Sequence, residues 1–200
     1  IDSFARWGAK KPIALRTGNL SAGQSVYRAM SRAGLALGSN IAAGYAPPSE
    51  QSLMLMGGLN RIEGVVEAPV LSYAQFRFGR WSKKRMLAIT ASSWSETRAL
   101  LRAARQAALS PIVILTHPFE FIKSPGNAGD LPNLVNQRRL EKLCAFIAEN
   151  PADFAMTTFG GQGPKWLKRD MRPAPLLKAP LDAVLGRMIT NAVNDRTSFL

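Results

Sequence analysis

Pro111-Ile112-Val113-Ile114-Leu115-Thr116-His117-Pro118-Phe119-Glu120-Phe121 is the stretch whose reading decides the fold. An unbroken apolar run of strand length is the pattern of a strand covered on both faces, as in a sheet packed between helices. Pro118 cannot donate to a ladder and biases His117 toward extended geometry, so the strand is predicted to stop there. His117 is the single histidine of the chain. An imidazole at the carboxyl end of a buried strand sits where α/β proteins place their chemistry. A polar loop with Lys123, Asn127 and Asp130 follows at once. Two readings stay open for His117: a hydrogen-bonded rim residue, or a general acid or base that exchanges a proton near neutral pH. Alone it makes no metal site, because a catalytic zinc takes about three protein ligands.

Working outward from this strand, Ser93 and Glu96 have the spacing of a capping box and open a predicted helix that runs to about residue 108. Leu100, Leu101, Ala104 and Ala108 share its inward face, and Arg98, Arg102 and Arg105 the solvated one. Residues 86–91 and 64–73 read as strands, the second with a break or edge at Pro69. Nearer the amino end, 12–17 reads as a short buried strand closed by Gly18-Asn19. Ser21 and Gln24 form a second capping box, Val26, Met30 and Ala33 an apolar stripe, and Gly34 a helix stop before a strand at 35–40. Strand, helix and strand with tight connections are the signature of parallel α/β structure. Residues 1–11 read as a helix end or loop with Phe4 and Trp7 as packing residues, and 41–60 as a loop.

On the carboxyl side, Leu140, Leu143, Cys144 and Ile147 repeat at helical spacing and predict a helix over 134–149. A short strand is expected at 153–158. Gly160-Gly161-Gln162-Gly163 reads as a flexible turn and lacks the Lys-Ser/Thr of a phosphate loop. The chain divides into a domain over 1–160 and a basic, proline- and glycine-containing tail over 161–200, with one possible helix at 181–194.

Composition bounds the function. Apolar residues make up 46% of 200, enough for a sizeable core and too many for a wholly disordered chain. One cysteine excludes an internal disulfide and a cysteine metal cluster, and the apolar neighbours of Cys144 suggest a buried thiol. No apolar run reaches the length of a membrane span. The chain opens Ile1-Asp2-Ser3 without a methionine, so a fragment or processed product is expected. Net charge is +13, which favours anionic partners. The densest cluster, Arg77, Arg80, Lys83, Lys84 and Arg85, is interleaved with Phe76, Phe78 and Trp81. Aromatics among cations can stack on bases or sugars; the alternative is a solvated connection leading into the strand at 86.

The order of these elements resembles the polysaccharide deacetylases, the carbohydrate esterases of chitooligosaccharide-deacetylase homology. Three features carry the resemblance over about residues 8–160. They are the strand end Arg16-Thr17-Gly18-Asn19 followed by a helix, Gly34-Leu35 and a strand ending Ser39-Asn40; the run Ile114-Leu115-Thr116-His117-Pro118-Phe119; and the closing helix and strand, from Arg138-Arg139-Leu140 to Phe154-Ala155-Met156-Thr157-Thr158-Phe159. The resemblance implies an α/β fold, a partial (β/α) barrel lacking its amino-terminal strands, and metal-dependent removal of acetyl groups from N- or O-acetylated sugars. It implies His117 as the acid that protonates the departing amine and Arg16 as the cation that orients the catalytic base. It implies Leu115 as lining for the acetyl methyl, with Asn19 and Trp94 as substrate contacts, Trp94 through Ser92-Ser93-Trp94. A divalent metal, usually zinc, is implied for the full-length protein and none for this chain alone, which lacks the family's amino-terminal half and its Asp and His ligands. Gly38 stands where the family often has aspartate. The partner implied is an acetylated oligo- or polysaccharide. The alternative is a non-catalytic basic module binding anionic glycan or nucleic acid, and nucleic acid is not the favoured partner.

Overall fold

A computed structural model describes residues 2–79, 81–123 and 129–196; Arg80 and Asn127, singled out above, lie outside them. In chain order the helices are α1 (Asp2–Arg6), α2 (Gln24–Arg32), α3 (Trp94–Gln106), α4 (Leu134–Glu149), α5 (Phe159–Trp166) and α6 (Leu181–Arg196). The strands are β1 (Ala14–Leu15), β2 (Leu37–Gly38), β3 (Gly58–Ile62), β4 (Val65–Glu67), β5 (Ser72–Phe78), β6 (Trp81–Met86), β7 (Ile122–Lys123), β8 (Leu131–Pro132), β9 (Arg172–Pro173) and β10 (Leu177–Lys178). The fold is α/β with mixed sheets, and among the described residues no sheet closes into a barrel. The chain forms two compact units that interleave in sequence. One comprises 1–72, 109–113 and 157–176; the other comprises 73–108, 114–156 and 177–200.

The first unit is built on a sheet of order β1-β2-β4-β3-β9, in which β1, β2 and β4 run parallel. β3 is antiparallel to both β4 and β9. Side chains of a strand alternate between faces, and β4 shows it. Val65 joins Tyr27, Met30, Leu35 and Ile41 on the α2 side. Val66 joins Leu37, Leu59 and Trp166 on the α5 side. Helix cover on both faces explains why β4 reads as an apolar run rather than an alternating one. α2 stops as its sequence predicts. Gly34 takes φ +72, and the bonds Leu35 N to Met30 O and Gly34 N to Ser31 O close a Schellman motif. Its start differs from prediction. Ser21 follows a short 3-10 turn, the N-cap is Gly23, and Gln24 N donates to Glu50 Oε1 at 3.0 Å. A distant carboxylate replaces the local capping box.

In the second unit β10, β5 and β6 form a sheet, with β10 parallel to β5. α3, α4 and α6 supply Leu100, Leu101, Ala104, Leu143, Phe146, Ala183 and Val184 to its core. The predicted capping box of α3 is present: Ser93 N donates to Glu96 Oε2 at 2.8 Å and Glu96 N to Ser93 Oγ at 3.2 Å. Ser93→Ala is expected to cost about 1 kcal/mol, because it removes one N-cap acceptor; a urea midpoint equal to that of the unsubstituted chain would contradict this. The arginine face of α3 is exposed as expected, with Arg105 paired to Asp153 at 2.7 Å.

Several expectations are corrected. The 76–85 cluster is not a bare connection: it forms the outer parts of β5 and β6. Residues 153–158 make no strand; Phe154 packs on Phe146 and Thr158 caps α5. Gly160-Gly161-Gln162-Gly163 is helical because the Thr158 hydroxyl accepts from Gly161 N at 3.0 Å. Phe4 and Trp7 are exposed and touch each other, and Cys144 is exposed on α4. The run at 111–116 is extended but makes only single bridges, Val113 to Val70 in the first unit and Leu115 to Ala88 in the second. Pro111 and Leu115 are buried, whereas Ile112, Val113 and Ile114 are half-buried. No described helix is long and apolar enough to cross a membrane.

Candidate active site

Polar side chains gather in each unit, and the sequence-predicted residues divide between them: Arg16 and Asn19 in the first, Trp94, Leu115 and His117 in the second.

In the first unit the group lies at the carboxyl ends of the parallel strands. Arg16, just past β1, donates from Nε to Ser39 O at 3.0 Å and from Nη2 to Ser39 Oγ at 2.6 Å. Partial burial lowers its pKa from the ordinary value, against the raising effect of the Glu67 charge. Asn40 Oδ1 accepts from Thr17 N at 2.8 Å, which fixes the backbone next to Arg16. Asn19 is exposed, in the left-handed region at φ 54, a conformation that asparagine tolerates.

At the centre is Glu67, the last residue of β4 and fully buried. Its Oε1 accepts from Asn40 N at 2.6 Å and Ile41 N at 3.1 Å, and its Oε2 from Asn40 Nδ2 at 3.2 Å. Desolvation raises its pKa to about 7 against these bonds, which favour the charged form. Tyr27 lies in the same cluster, and burial together with the Glu67 charge raises its phenol above the usual value. Gly38 makes room for the carboxylate: a Cβ there would collide with Glu67 Oε2 and Asn40 Nδ2. Glycine at position 38 is thus required by the buried acid on the neighbouring strand. Glu67 links Asn40, through it Thr17, and so the Arg16 turn. In the sequence Glu67 is one letter of a predicted strand. The signal was present, since an acid inside Val65-Val66-Glu67-Ala68-Pro69-Val70-Leu71 is a charge where burial is expected.

In the second unit His117 is 47% exposed. Its N donates to Glu120 Oε2 at 2.9 Å, and Glu120 Oε1 lies 3.4 Å from Nδ1. A carboxylate beside Nδ1 favours the proton on that nitrogen and leaves Nε2 as the one that can meet a substrate. Phe119 stacks on the imidazole, with centroids 5.1 Å apart. Leu115 is buried, its backbone bonded to Leu87 and Ile89.

Trp94 sits in the first turn of α3, edge-on to Phe146 at 5.6 Å. It lines an open groove of about 410 Å³ with Ser93, Arg138, Arg139, Lys142 and Asp182. An aromatic wall with hydroxyl, cationic and carboxylate groups suits a polar ligand such as a sugar. Arg139 is committed to the scaffold: Nη1 donates to Thr90 O and Asn136 Oδ1, and Nη2 to Asn191 Oδ1. Arg138 and Lys142 are exposed on α4.

The described residues contain no group of three His, Cys, Asp or Glu side chains able to hold a metal ion. The divalent metal that the deacetylase resemblance implies for the full-length protein therefore has no ligand set among the described residues. Compared with known proteins, the chain matches no family model, no curated protein and no solved structure.

Proposed function

We propose that this chain belongs to a polysaccharide deacetylase-like hydrolase that removes acetyl groups from N- or O-acetylated sugars, and that it carries the part of a partial (β/α) barrel that supplies the proton to the leaving group. The observation that supports this reading is His117: exposed, at the end of an extended segment, with Glu120 beside Nδ1. As the acyl–nitrogen bond breaks, the amine departs as a poor leaving group unless it is protonated. A protonated imidazole presenting Nε2–H gives up that proton, and Glu120 at Nδ1 holds the ring in orientation for the transfer. Arg16 is proposed as a positioning cation for a catalytic carboxylate. Its planar fork is anchored on Ser39, and that anchor is held through Asn40 by Glu67. Trp94 is proposed as a sugar contact in its groove, Asn19 as a polar contact at the Arg16 turn, and Leu115 as apolar backing beneath the acetyl group. A divalent metal, zinc by the resemblance, belongs to this proposal only as a group held by ligands outside this sequence.

The test is acetate release from N-acetylglucosamine oligomers by the protein. His117→Ala is expected to lower kcat about a hundredfold with little change in KM, the scale of one general acid. His117→Gln, which keeps a donor without an exchangeable proton near pH 7, is expected to be equally slow. Undiminished turnover in His117→Ala would remove the assigned role.

A further inference from the structure

The β5–β6 hairpin carries two large aromatic side chains in water. Phe78 is 69% and Trp81 59% exposed. Their rings stack on each other, with centroids 6.3 Å apart and planes 25° from parallel. Side chains alternate along a strand, so Phe76 and Phe78 share one face of β5, and Trp81 and Lys83 share one face of β6. The ring contact makes these the same face of the hairpin. Arg77 and Lys84 then lie on the opposite face. Cations therefore flank the aromatic tip on both sides. No Asp or Glu occurs between Glu67 and Glu96, and both of those are buried. Arg77, Lys83 and Lys84 enter no ion pair among the described residues.

The arrangement fits one kind of partner. A linear polyanion lying along one face would meet the rings with Lys83, or Arg77 with Lys84, but not both sets. A negatively charged plane met tip-first engages every one of these groups: the rings enter it together and the cations of both faces surround them. Amphipathic aromatic rings are favoured at the headgroup level of a bilayer, and long basic side chains reach its phosphates. The net charge of +13 adds long-range attraction to such a surface.

We propose that the tip of the β5–β6 hairpin docks on the surface of an anionic lipid bilayer, with Phe78 and Trp81 seated among the headgroups and Arg77, Lys83 and Lys84 on the lipid phosphates. The attachment is peripheral, and it is independent of the hydrolase reading.

The experiment is co-sedimentation of the protein with phosphatidylcholine vesicles, with and without about 30 mol % phosphatidylserine. Binding is expected on the anionic vesicles only and is expected to weaken as salt rises. Phe78→Ala/Trp81→Ala, which keeps every charge, is expected to weaken partition about tenfold or more, since two rings leave the interface. Lys83→Gln and Lys84→Gln are expected to weaken it about fivefold each. The tryptophan emission of the protein is expected to shift to the blue on anionic vesicles, and Trp81→Phe to abolish most of that shift. Unchanged far-ultraviolet circular dichroism in these surface variants separates binding from folding. The proposal is overturned by no binding to anionic vesicles at low salt, or by binding indifferent to the ring substitutions. Tighter, ring-dependent binding to soluble polyglucuronate or single-stranded DNA than to vesicles would likewise overturn it in favour of a polymer site.

Discussion

Replacement of Arg187 by methionine is expected to lower the unfolding free energy by about 3 kcal/mol, within the range for removing one partner of a buried ion pair. Arg187 Nε lies 3.0 Å from Glu96 Oε2 and 3.2 Å from Oε1, and both side chains are buried. Glu96 also accepts from Ser93 N at 2.8 Å and from Tyr73 OH at 3.4 Å. One carboxylate therefore joins α3, β5 and α6 inside the second unit. Without the guanidinium, the charge stays buried with only neutral donors around it. Those donors soften the loss, which places it at the lower end of the range. The pair is not fully satisfied even when intact, since Arg187 Nη2 is buried without a hydrogen-bond partner. Neutralising the acid as well should therefore recover stability. Glu96→Gln/Arg187→Met keeps a side-chain acceptor for Ser93 N and is expected to regain about half of the single-mutant loss, a coupling that a double-mutant cycle reads directly. Urea unfolding of the four proteins measures it; an Arg187→Met midpoint within error of the parent would show that the pair carries no net stability.

The features legible in the sequence are those set by neighbours along the chain. Ser93 and Glu96 cap α3 because both partners of that motif are three residues apart. Gly34 ends α2 because a left-handed residue closes a turn whose acceptors lie just behind it. The apolar run at β4 marks cover on both faces, and the positions 134–149 give α4. What escaped depends on partners remote in sequence. The amino end of α2 is held by Glu50, 26 residues away, so the local pair Ser21 and Gln24 points to the wrong start. The outer ends of β5 and β6 read as solvated loop because exposed edges of a hairpin tolerate charge on both faces, which erases the alternation that marks a strand. α5 begins in a glycine cluster of poor helix propensity, but Thr158 caps it and Trp166 buries it against Leu37 and Val66. At the candidate site, the sequence picks out His117 by its rarity and position, yet its carboxylate neighbour is Glu120 of the following turn. Glu67 becomes visible only when β2 and β4 are side by side and Gly38 is seen to leave space for it.

Stability is expected to fall as pH rises from about 4.5 to 7, with Glu67 the group responsible. Burial raises the Glu67 pKa from 4.5 to about 7 in the folded protein. In that window the native state binds a proton that the unfolded chain has released, so the unfolding free energy decreases with pH. The Glu67 contribution is largest below the unfolded pKa and is lost as pH passes the folded one. A shift of that size corresponds to about 3 kcal/mol across the window. The direction is opposite to that of a salt-bridged surface acid, whose stabilisation grows with pH. The structural cause is that three N–H donors from Asn40 and Ile41 compensate only part of the hydration that the carboxylate loses on β4. Glu67→Gln removes the titration. Its amide oxygen still accepts from Asn40 N and Ile41 N, but its amide nitrogen faces Asn40 Nδ2, donor against donor, for a constant cost of about 1–2 kcal/mol. Urea unfolding at pH 5 and pH 8 for both proteins isolates the effect, because every other titrating group cancels in the difference. The parent is expected to exceed Glu67→Gln in stability at pH 5 and to lose that advantage by pH 8. A difference that stays constant between the two pH values would mean that Glu67 titrates as an ordinary carboxylate. In that case the Asn40–Thr17–Arg16 connection would rest on a permanently charged acid rather than on one poised near neutrality.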